Sequence, residues 1–180
     1  NDTLIGDEAD RRLVFDGGAG DDLAFGGSAG DSLSGGGDDD RLFGRGGADT
    51  LYGGDGASDT ALFMNARSGV TVDLGAGTAT GDGNDTLVNI ENIIGSDNAD
   101  TLIGNAADNT ILGGPGNDIL RGGGGNDFRI GLQGGLSVLG AVYRTHGRIT
   151  LSGGGRGRSS GLRRHACADR ADHAGRRRTY

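Results

Sequence analysis

The sequence has no Lys, no Trp, one Pro and one Cys among its 180 residues, and 41 of these residues are Gly. The single cysteine, Cys167, excludes a disulfide framework. The high Gly content argues against an ordinary globular core, because Gly has no side chain to bury and loses the most backbone entropy on folding. Collagen is excluded as well, since Gly does not recur at every third position.

Charge divides the chain into two unlike parts. Residues 1–128 carry 23 acidic side chains and 6 Arg, a net charge of −17, whereas residues 129–180 carry 2 Asp and 11 Arg, a net charge of +9. An acidic surface repels nucleic acid and anionic membranes and attracts cations. We therefore expect cations as partners and no nucleic acid. No apolar run is long enough to predict a membrane span.

A Gly-rich unit of nine residues recurs in two runs. The first run, from residue 17, is GGAGDDLAF, GGSAGDSLS, GGGDDDRLF and GRGGADTLY; the second, from residue 95, is GSDNADTLI, GNAADNTIL, GGPGNDILR and GGGGNDFRI. The sixth positions are Asp22, Asp31, Asp40, Asp49, Asp100, Asn109, Asp118 and Asp127. The eighth position is mostly large and apolar, as at Leu33, Leu42, Leu51, Leu102, Ile111 and Leu120.

This spacing predicts a six-residue turn followed by a three-residue strand whose middle side chain points inward. A flexible Gly/Asp-rich linker is the alternative. A random linker, however, would not keep apolar residues two places after each acid.

The pattern resembles the glycine-rich nonapeptide of the RTX family, the haemolysin-type calcium-binding repeat, G-G-x-G-x-D-x-U-x with U large and apolar. Residues 113–121, GGPGNDILR, match it at every fixed position, and the resemblance covers roughly 1–128. It implies an all-β fold, a right-handed parallel β-roll with two units per coil and an irregular C-terminal tail. Acids 18 residues apart then become neighbours: Asp22 with Asp40, Asp31 with Asp49, Asp100 with Asp118, and Asp127 with Asn109.

The resemblance also implies Ca²⁺ as the cofactor, with the eight sixth-position residues as metal ligands. Calcium takes about 6–8 oxygen ligands in a flexible geometry, which stacked carboxylates and backbone carbonyls can supply. Magnesium demands a tighter octahedron, and zinc prefers His and Cys, which the repeats lack. One apolar side chain per strand makes too small a core to offset the chain entropy. We therefore expect metal binding to supply folding free energy.

The repeats divide the chain into four segments: a first run over 1–58, wider solenoid coils over 59–94, a second run over 95–130 and a basic tail over 131–180. The fifth unit of the first run has Ser58 where the acid is expected. Alternating apolar residues predict a half-buried strand around Val72, and Thr78–Thr80 predicts another. The acids of this segment, Asp73, Asp82 and Asp85, are candidates for additional metal ligands, but the favoured interpretation is that they are exposed turn residues.

Arg129 occupies the inward position of the last unit. Burying an unpaired Arg is costly, so the sequence predicts that the solenoid stops there. Three hypotheses remain open for the tail: a cap over the open end, a disordered segment, or translation of a GC-rich gene in a shifted frame. His165 and Cys167 are too close together for the usual zinc spacing.

A catalytic role for this segment is not supported by the sequence. No His precedes residue 146, so no Ser-His-Asp arrangement can form within 1–128. Carboxylates that recur with a fixed period are not typical of an active site. We therefore predict that the chain is not itself an enzyme.

The resemblance implies a calcium-binding module of an extracellular bacterial protein exported by type I secretion. It would fold on calcium binding after export and support an attached catalytic, toxin or adhesin domain. Because the chain opens at Asn1 within the repeat pattern, we expect it to be part of a longer protein.

Two alternatives remain. One is an adhesive or matrix module that binds a surface or glycan, for which a flat row of exposed aromatic or Thr residues would be evidence; Phe25, Phe43 and Tyr52, at ninth positions, point weakly to it. The other is the C-terminal part of a secreted protease, lipase, epimerase or toxin.

Overall fold

A computed structural model describes residues 1–6, 11–134 and 137–138. These residues form sixteen short strands joined by turns, without any helix. The strands are β1 Thr3–Ile5, β2 Val14–Ala19, β3 Leu23–Phe25, β4 Ser32–Gly37, β5 Arg41–Phe43, β6 Thr50–Gly54, β7 Thr60–Leu62, β8 Thr71–Asp73, β9 Thr78–Thr80, β10 Asn84–Val88, β11 Asn92–Ile94, β12 Thr101–Ile103, β13 Thr110–Gly116, β14 Ile119–Arg121, β15 Phe128–Gly134 and β16 Ser137–Val138. No helix that could cross a membrane is therefore found among the described residues.

Successive strands of a run alternate between two sheets. Sheet A has the order β1-β3-β5-β7-β11-β13-β15, and sheet B has the order β16-β14-β12-β8-β9-β10-β6-β4-β2. Within each run, strands 18 residues apart pair in parallel, as Leu23 with Arg41 in sheet A and Thr101 with Ile119 in sheet B. The described chain is thus a parallel β-solenoid of about seven coils, and the predicted all-β parallel β-roll is confirmed.

The turns stack closely enough to require Gly. Gly36 and Gly54 have φ angles of 117° and 123°, in the left-handed region that L side chains rarely adopt. A side chain on Gly54 would clash with the carbonyl oxygen of Gly36, and one on Gly36 would clash with that of Gly18. The recurrent Gly positions therefore allow one turn to lie against the next.

The core is a double row of side chains between the two sheets. In seven of the repeat strands the middle residue points inward and is at most 1% exposed: Ala24, Leu33, Leu42, Leu51, Leu102, Ile111 and Leu120. In sheet A, Ile111 stacks on Ile93, which stacks on Ala61. Full burial of one such side chain contributes roughly 1.5–3 kcal/mol. The predicted inward positions are confirmed.

The segment between the runs departs from simple alternation. Strands β8, β9 and β10 form an antiparallel meander within sheet B, whereas sheet A passes directly from β7 to β11. Sheet B therefore has nine strands and sheet A seven. The meander continues the core with Val72, Ala79 and Leu87. The predicted strand at Thr78–Thr80 is confirmed.

The solenoid does not stop at Arg129, and that prediction was wrong. Strand β15 pairs in parallel with β13 and places Arg129 beside Ile111. The Arg129 side chain is only partly buried. Its guanidinium and the Asp127 carboxylate both lie beside Gly122, so the charge is not isolated in an apolar interior. The tail hypotheses, with His165 and Cys167, concern residues beyond 138, outside the described part of the chain.

Candidate metal sites

Two rows of acidic residues run along the solenoid, one beside each sheet. Ladder A is the set of residues that immediately precede the sheet A strands: Asp2, Asp22, Asp40, Asp59, Glu91, Asn109 and Asp127. Ladder B is the equivalent set for sheet B and contains Asp31, Asp49, Asp85, Asp100 and Asp118. Four of these residues immediately precede a strand, whereas Asp85 lies within β10, just before the residue that pairs with Thr50. All eight predicted ligand positions belong to these ladders.

Each ladder carboxylate reaches back to the preceding coil. Oδ1 of Asp40 accepts a hydrogen bond from the main-chain amide of Asp22 at 2.7 Å, and Oδ1 of Asp49 accepts one from Asp31 at 2.7 Å. In the second run, Asp118 accepts from Asp100 at 3.1 Å, and Asp127 accepts from Asn109 at 3.2 Å. The structure therefore brings together all four pairs of neighbours predicted from the 18-residue spacing.

The hydrogen bonding of the second carboxylate oxygen, Oδ2, differs between sites. Oδ2 of Asp31 accepts the amide of Gly27 at 2.7 Å, and Oδ2 of Asp100 accepts that of Ser96 at 2.7 Å. The remaining fully buried Oδ2 atoms in the described residues have no hydrogen-bond partner, namely those of Asp22, Asp40, Asp49 and Asp59. A buried carboxylate oxygen without a partner carries a large desolvation cost, so each of these atoms is suited to a cation.

The first Gly of each turn faces the carboxylate of the same turn. A methyl group on Gly26 would lie 2.6 Å from Asp31 Oδ2 and 2.5 Å from the Gly44 carbonyl oxygen of the next coil. A methyl group on Gly113 would lie 2.5 Å from Asp118 Oδ2. Gly thus keeps open a space bordered by a carboxylate and a main-chain carbonyl, the two oxygen types that calcium prefers.

Burial and mutual repulsion disfavour the charged form of five ladder acids, Asp40, Asp49, Asp59, Asp85 and Asp118. Burial raises the pKa of Asp49 to about 7; the Asp31 amide opposes this, and the Asp85 and Asp31 carboxylates add to it. Burial likewise raises the pKa of Asp85 to about 6. For Asp40, Asp59 and Asp118, burial again raises the pKa.

Ion pairs offset little of this charge. Among the described residues the only ion pair is that of the Asn1 amino group with Asp22 Oδ1, at 3.8 Å. No three His, Cys, Asp or Glu side chains converge on one point in this part of the chain. A cation bound here would therefore take at most two carboxylates and complete its shell with carbonyls. Such an oxygen-only site suits calcium rather than zinc.

Asn109 is the exception within ladder A. Its Nδ2 donates to the Glu91 carbonyl at 2.8 Å, and its Oδ1 accepts from the Asn105 amide at 2.9 Å. The side-chain amide is thus satisfied by the protein, at a position where other coils present a carboxylate.

Four ladder members were not among the ligands predicted from the sequence: Asp2, Asp59, Asp85 and Glu91. The turn at 53–59 has one extra residue, so that Asp59, rather than Ser58, takes the acid position and is 0% exposed. Asp85 was predicted to be an exposed turn acid, which was wrong, because it is 5% exposed. Its recoverable signal was the motif Asp-Thr-Leu at 85–87, which also occurs at 49–51 and 100–102.

A family comparison agrees with this geometry. Residues 25–58 and 94–128 match the RTX calcium-binding nonapeptide repeat, in four copies. These two segments are thus similar to RTX repeats. The RTX repeat family binds calcium, and its β-roll is a structural, calcium-binding module. No curated protein matches the chain. Residues 59–93, which supply Asp85 and Glu91, lie outside the matched repeats.

Proposed function

We propose that this β-roll binds calcium along both ladders and that the binding drives its folding. The supporting observation is the set of buried Oδ2 atoms that lack a hydrogen-bond partner, at Asp22, Asp40, Asp49 and Asp59. Of the described ladder acids, Asp22 alone forms an ion pair, with the Asn1 amino group. Calcium would neutralise this charge and join neighbouring coils. The proposed ligands are the eight repeat residues, Asp22, Asp31, Asp40, Asp49, Asp100, Asp118, Asp127 and Asn109, with main-chain carbonyls of the same turns.

The proposed setting is a secreted bacterial protein exported by type I secretion. A chain whose folded state needs calcium stays unfolded where calcium is scarce and folds in the extracellular medium. Extracellular calcium modules bind with a Kd of roughly 10⁻⁴–10⁻³ M, which suits such a response. The folded roll would then support an attached domain, either an enzyme (a protease, lipase or epimerase), a toxin or an adhesin.

Circular dichroism of the full chain tests the calcium function. In chelator we expect a far-UV spectrum without β-structure, and in millimolar calcium a β-rich spectrum. Magnesium at the same concentration is the matched control and should produce little change, because its octahedral shell fits these flexible sites poorly. A spectrum that is the same in chelator and in calcium would refute the proposal.

A second candidate function, adhesion, is favoured by one face of the solenoid. Five exposed threonines lie on four adjacent strands of sheet B: Thr50, Thr86, Thr78, Thr80 and Thr71. Such a flat hydroxyl surface is suited to a glycan or another hydroxylated surface.

Of the three aromatic residues that pointed weakly to adhesion, only Tyr52 lies on the same sheet as these threonines. Phe25 and Phe43 lie on sheet A, where the Arg45 guanidinium carbon is 5.6 Å and 5.8 Å from their ring centroids, and Phe43 is buried. Tyr52 belongs to sheet B and is 41% exposed.

A glycan array probed with the calcium-loaded chain tests the adhesive function. The double variant Thr80→Glu, Thr86→Glu should lose the signal if the threonine face binds. A variant that binds as well as the unmodified chain, or an unmodified chain that binds no glycan, counts against adhesion by this face.

A further inference from the structure

The outward side of sheet A, which we call the sheet A face, is apolar at one position of every strand. The third residues of its seven strands stack in register and point away from the core: Ile5, Phe25, Phe43, Leu62, Ile94, Leu112 and Ile130. The corresponding outward residues of sheet B include Asp16, Ser34, Asp73 and Arg121. Contiguous apolar residues on a surface mark a site of contact with another molecule, so the sheet A face indicates a partner.

The chain itself covers only part of this apolar row. Phe43 is 1% exposed and Leu62 is 5% exposed, so the middle of the row is already buried. At the end of the row Ile5 is 71% exposed, and beyond the middle Ile94 and Leu112 are partly exposed. Contact with a partner would therefore remove further apolar surface from water, which is favourable.

The sheet A face is also free of acidic side chains in the described strands. Its other outward row, the first residues of the seven strands, consists of Leu23, Arg41 and Phe128 together with threonines and one asparagine. Residues 1–128 carry a net charge of −17, so two copies of the chain repel each other through most of their surface. Sheet A is a side on which two copies can approach without bringing carboxylates together.

The two edges of sheet A differ in charge. The turns that precede its strands form the amino edge, where the exposed charged side chains are all acidic: Asp2, Asp21, Asp38, Asp39, Asp55 and Asp108. The turns that follow its strands form the carboxyl edge, which carries Arg11, Arg12, Arg45 and Arg67 beside the exposed Asp97. Among the described residues, the turns of the amino edge contain no arginine. One edge therefore offers cations that can meet the acids of the other.

We propose that two copies of this chain pack face to face through sheet A, with their solenoid axes parallel and their strands antiparallel. A two-fold axis along the solenoid produces this dimer, and it places the amino edge of each copy over the carboxyl edge of the other. A two-fold axis along the strands would instead place acidic amino edge against acidic amino edge, which repulsion disfavours. The inference concerns a different face from the proposed calcium ladders and does not depend on them.

Two-fold symmetry also sets each coil against the same coil of the other copy, because a closed dimer has no translation along its axis. Arg45, in the turn after β5, then faces the partner's Asp39, in the turn before β5. Arg67, in the turn after β7, faces the partner's Asp55, in the turn before β7. Both arginines thus meet an exposed carboxylate.

The size of the face predicts a weak dimer. Seven strands about 4.8 Å apart, with three residues of about 3.3 Å each, cover about 340 Å². Two such faces bury about 700 Å² in total, below the roughly 1,200–2,000 Å² of stable complexes. Association should therefore be transient and depend on concentration, with the charged edges setting the orientation more than the strength.

Sedimentation equilibrium of the full chain in calcium, over a series of concentrations, tests the dimer. We expect a reversible equilibrium between monomer and dimer. Leu112→Glu places a charge on the sheet A face and should abolish the dimer. Ile103→Glu is the matched control, because Ile103 is an equally half-buried outward residue on sheet B, and it should leave the dimer unchanged. Circular dichroism verifies that each variant is folded.

An exchange of charge tests the orientation of the two copies. Arg67→Glu and Asp55→Arg each place like charges opposite one another, and each should weaken dimerisation about tenfold, because two-fold symmetry makes every contact occur twice. The double variant Arg67→Glu, Asp55→Arg restores an opposite pair and should regain the affinity of the unmodified chain. Asp16→Arg, at an exposed position on sheet B, controls for the change in net charge and should not weaken the dimer.

The outcomes separate this inference from the proposed calcium function. A chain that is β-rich in calcium yet monomeric at every concentration overturns the dimer and leaves the calcium function standing. A dimer that survives Leu112→Glu, or a double variant as weak as the single ones, also overturns the proposed packing. A dimer with the same spectrum in chelator and in calcium refutes the calcium function alone, and a chain without β-structure in calcium contradicts both.

Discussion

The carboxylate of Asp85 accepts a hydrogen bond from the main-chain amide of Asp49 at 3.1 Å, although 36 residues separate the two. The antiparallel meander makes this contact, because β10 returns to pair in parallel with β6. Two buried acids thereby become neighbours in ladder B, and neither forms an ion pair with another described residue.

The pH dependence of the metal-free chain follows from this pair. Both acids ordinarily titrate near 3.8, and in the fold the pKa of Asp49 is about 7 and that of Asp85 about 6. Between pH 3.8 and about 6 to 7, the folded state therefore binds more protons than the unfolded state. The stabilisation is fully present below pH 3.8 and is lost as pH rises through about 6 to 7. We expect dilute, metal-free chain to gain β-structure as pH is lowered from 8 to 4.

Far-UV circular dichroism after metal removal provides the measurement. Asp85→Asn should flatten the pH response above pH 5, because the side chain is then neutral throughout. The exposed Asp16→Asn should follow the unmodified curve. A metal-free chain that gains β-structure as pH rises would contradict the prediction.

Substitution of two glycines in one turn tests whether the space beside the Asp40 carboxylate must stay open. A methyl group on Gly35 would clash with Asp40 Oδ2, whereas one on Gly37 would only approach the Gly18 carbonyl oxygen, at 3.8 Å. Overpacking typically costs about 1–3 kcal/mol, while Ala at a compatible Gly position stabilises by about 0.4–1 kcal/mol. Gly35→Ala should raise the calcium midpoint of folding several-fold, and Gly37→Ala should leave it near or below the unmodified value. Equal midpoints for the two variants would argue against the space beside Asp40 being needed.

Two adjacent apolar residues test the core. Leu102 is 0% exposed between the sheets, whereas Ile103 points outward from the same strand and is half-buried. In saturating calcium, Leu102→Ala should lower the free energy of unfolding by about 2–5 kcal/mol, because it leaves a cavity in a narrow core. Ile103→Ala should cost clearly less. Urea unfolding followed by circular dichroism measures both, and a larger loss for Ile103→Ala would refute the assigned orientation of the strand.

The period of the sequence determined most of this fold. A constant nine-residue unit places Asp22 beside Asp40 and Leu102 beside Leu120 whatever the side chains in between, because each coil repeats the last. The prediction failed where the period changes. One inserted residue moved the acid from Ser58 to Asp59, and a search at a fixed spacing cannot register such a shift.

Two further misses had physical causes of another kind. Asp85 is buried because β9 runs antiparallel and returns the chain to β6, a long-range pairing that local alternation does not encode. Arg129 was expected to end the solenoid because burial of Arg is costly. Its partial exposure beside Asp127 removes much of that cost, and the strand ladder continues through it.

Asn109 offers a gain-of-function test of ladder A. Its Nδ2 donates to the Glu91 carbonyl at 2.8 Å and to Asn105 Oδ1 at 3.1 Å, contacts that an aspartate cannot make. Without metal, Asn109→Asp should therefore destabilise the fold, because it loses both donors and places a second carboxylate beside Asp127. In calcium the new carboxylate becomes a ligand, so folding should depend more steeply on calcium, and one additional ion should bind at saturation.

Isothermal titration calorimetry and calcium-dependent circular dichroism measure the two effects. Asp108→Asn is the control for a change of charge in the same turn, because Asp108 immediately precedes Asn109 and is exposed. If Asn109→Asp binds no additional calcium and folds at the same calcium concentration as the unmodified chain, the acid position of ladder A does not set calcium binding in this coil.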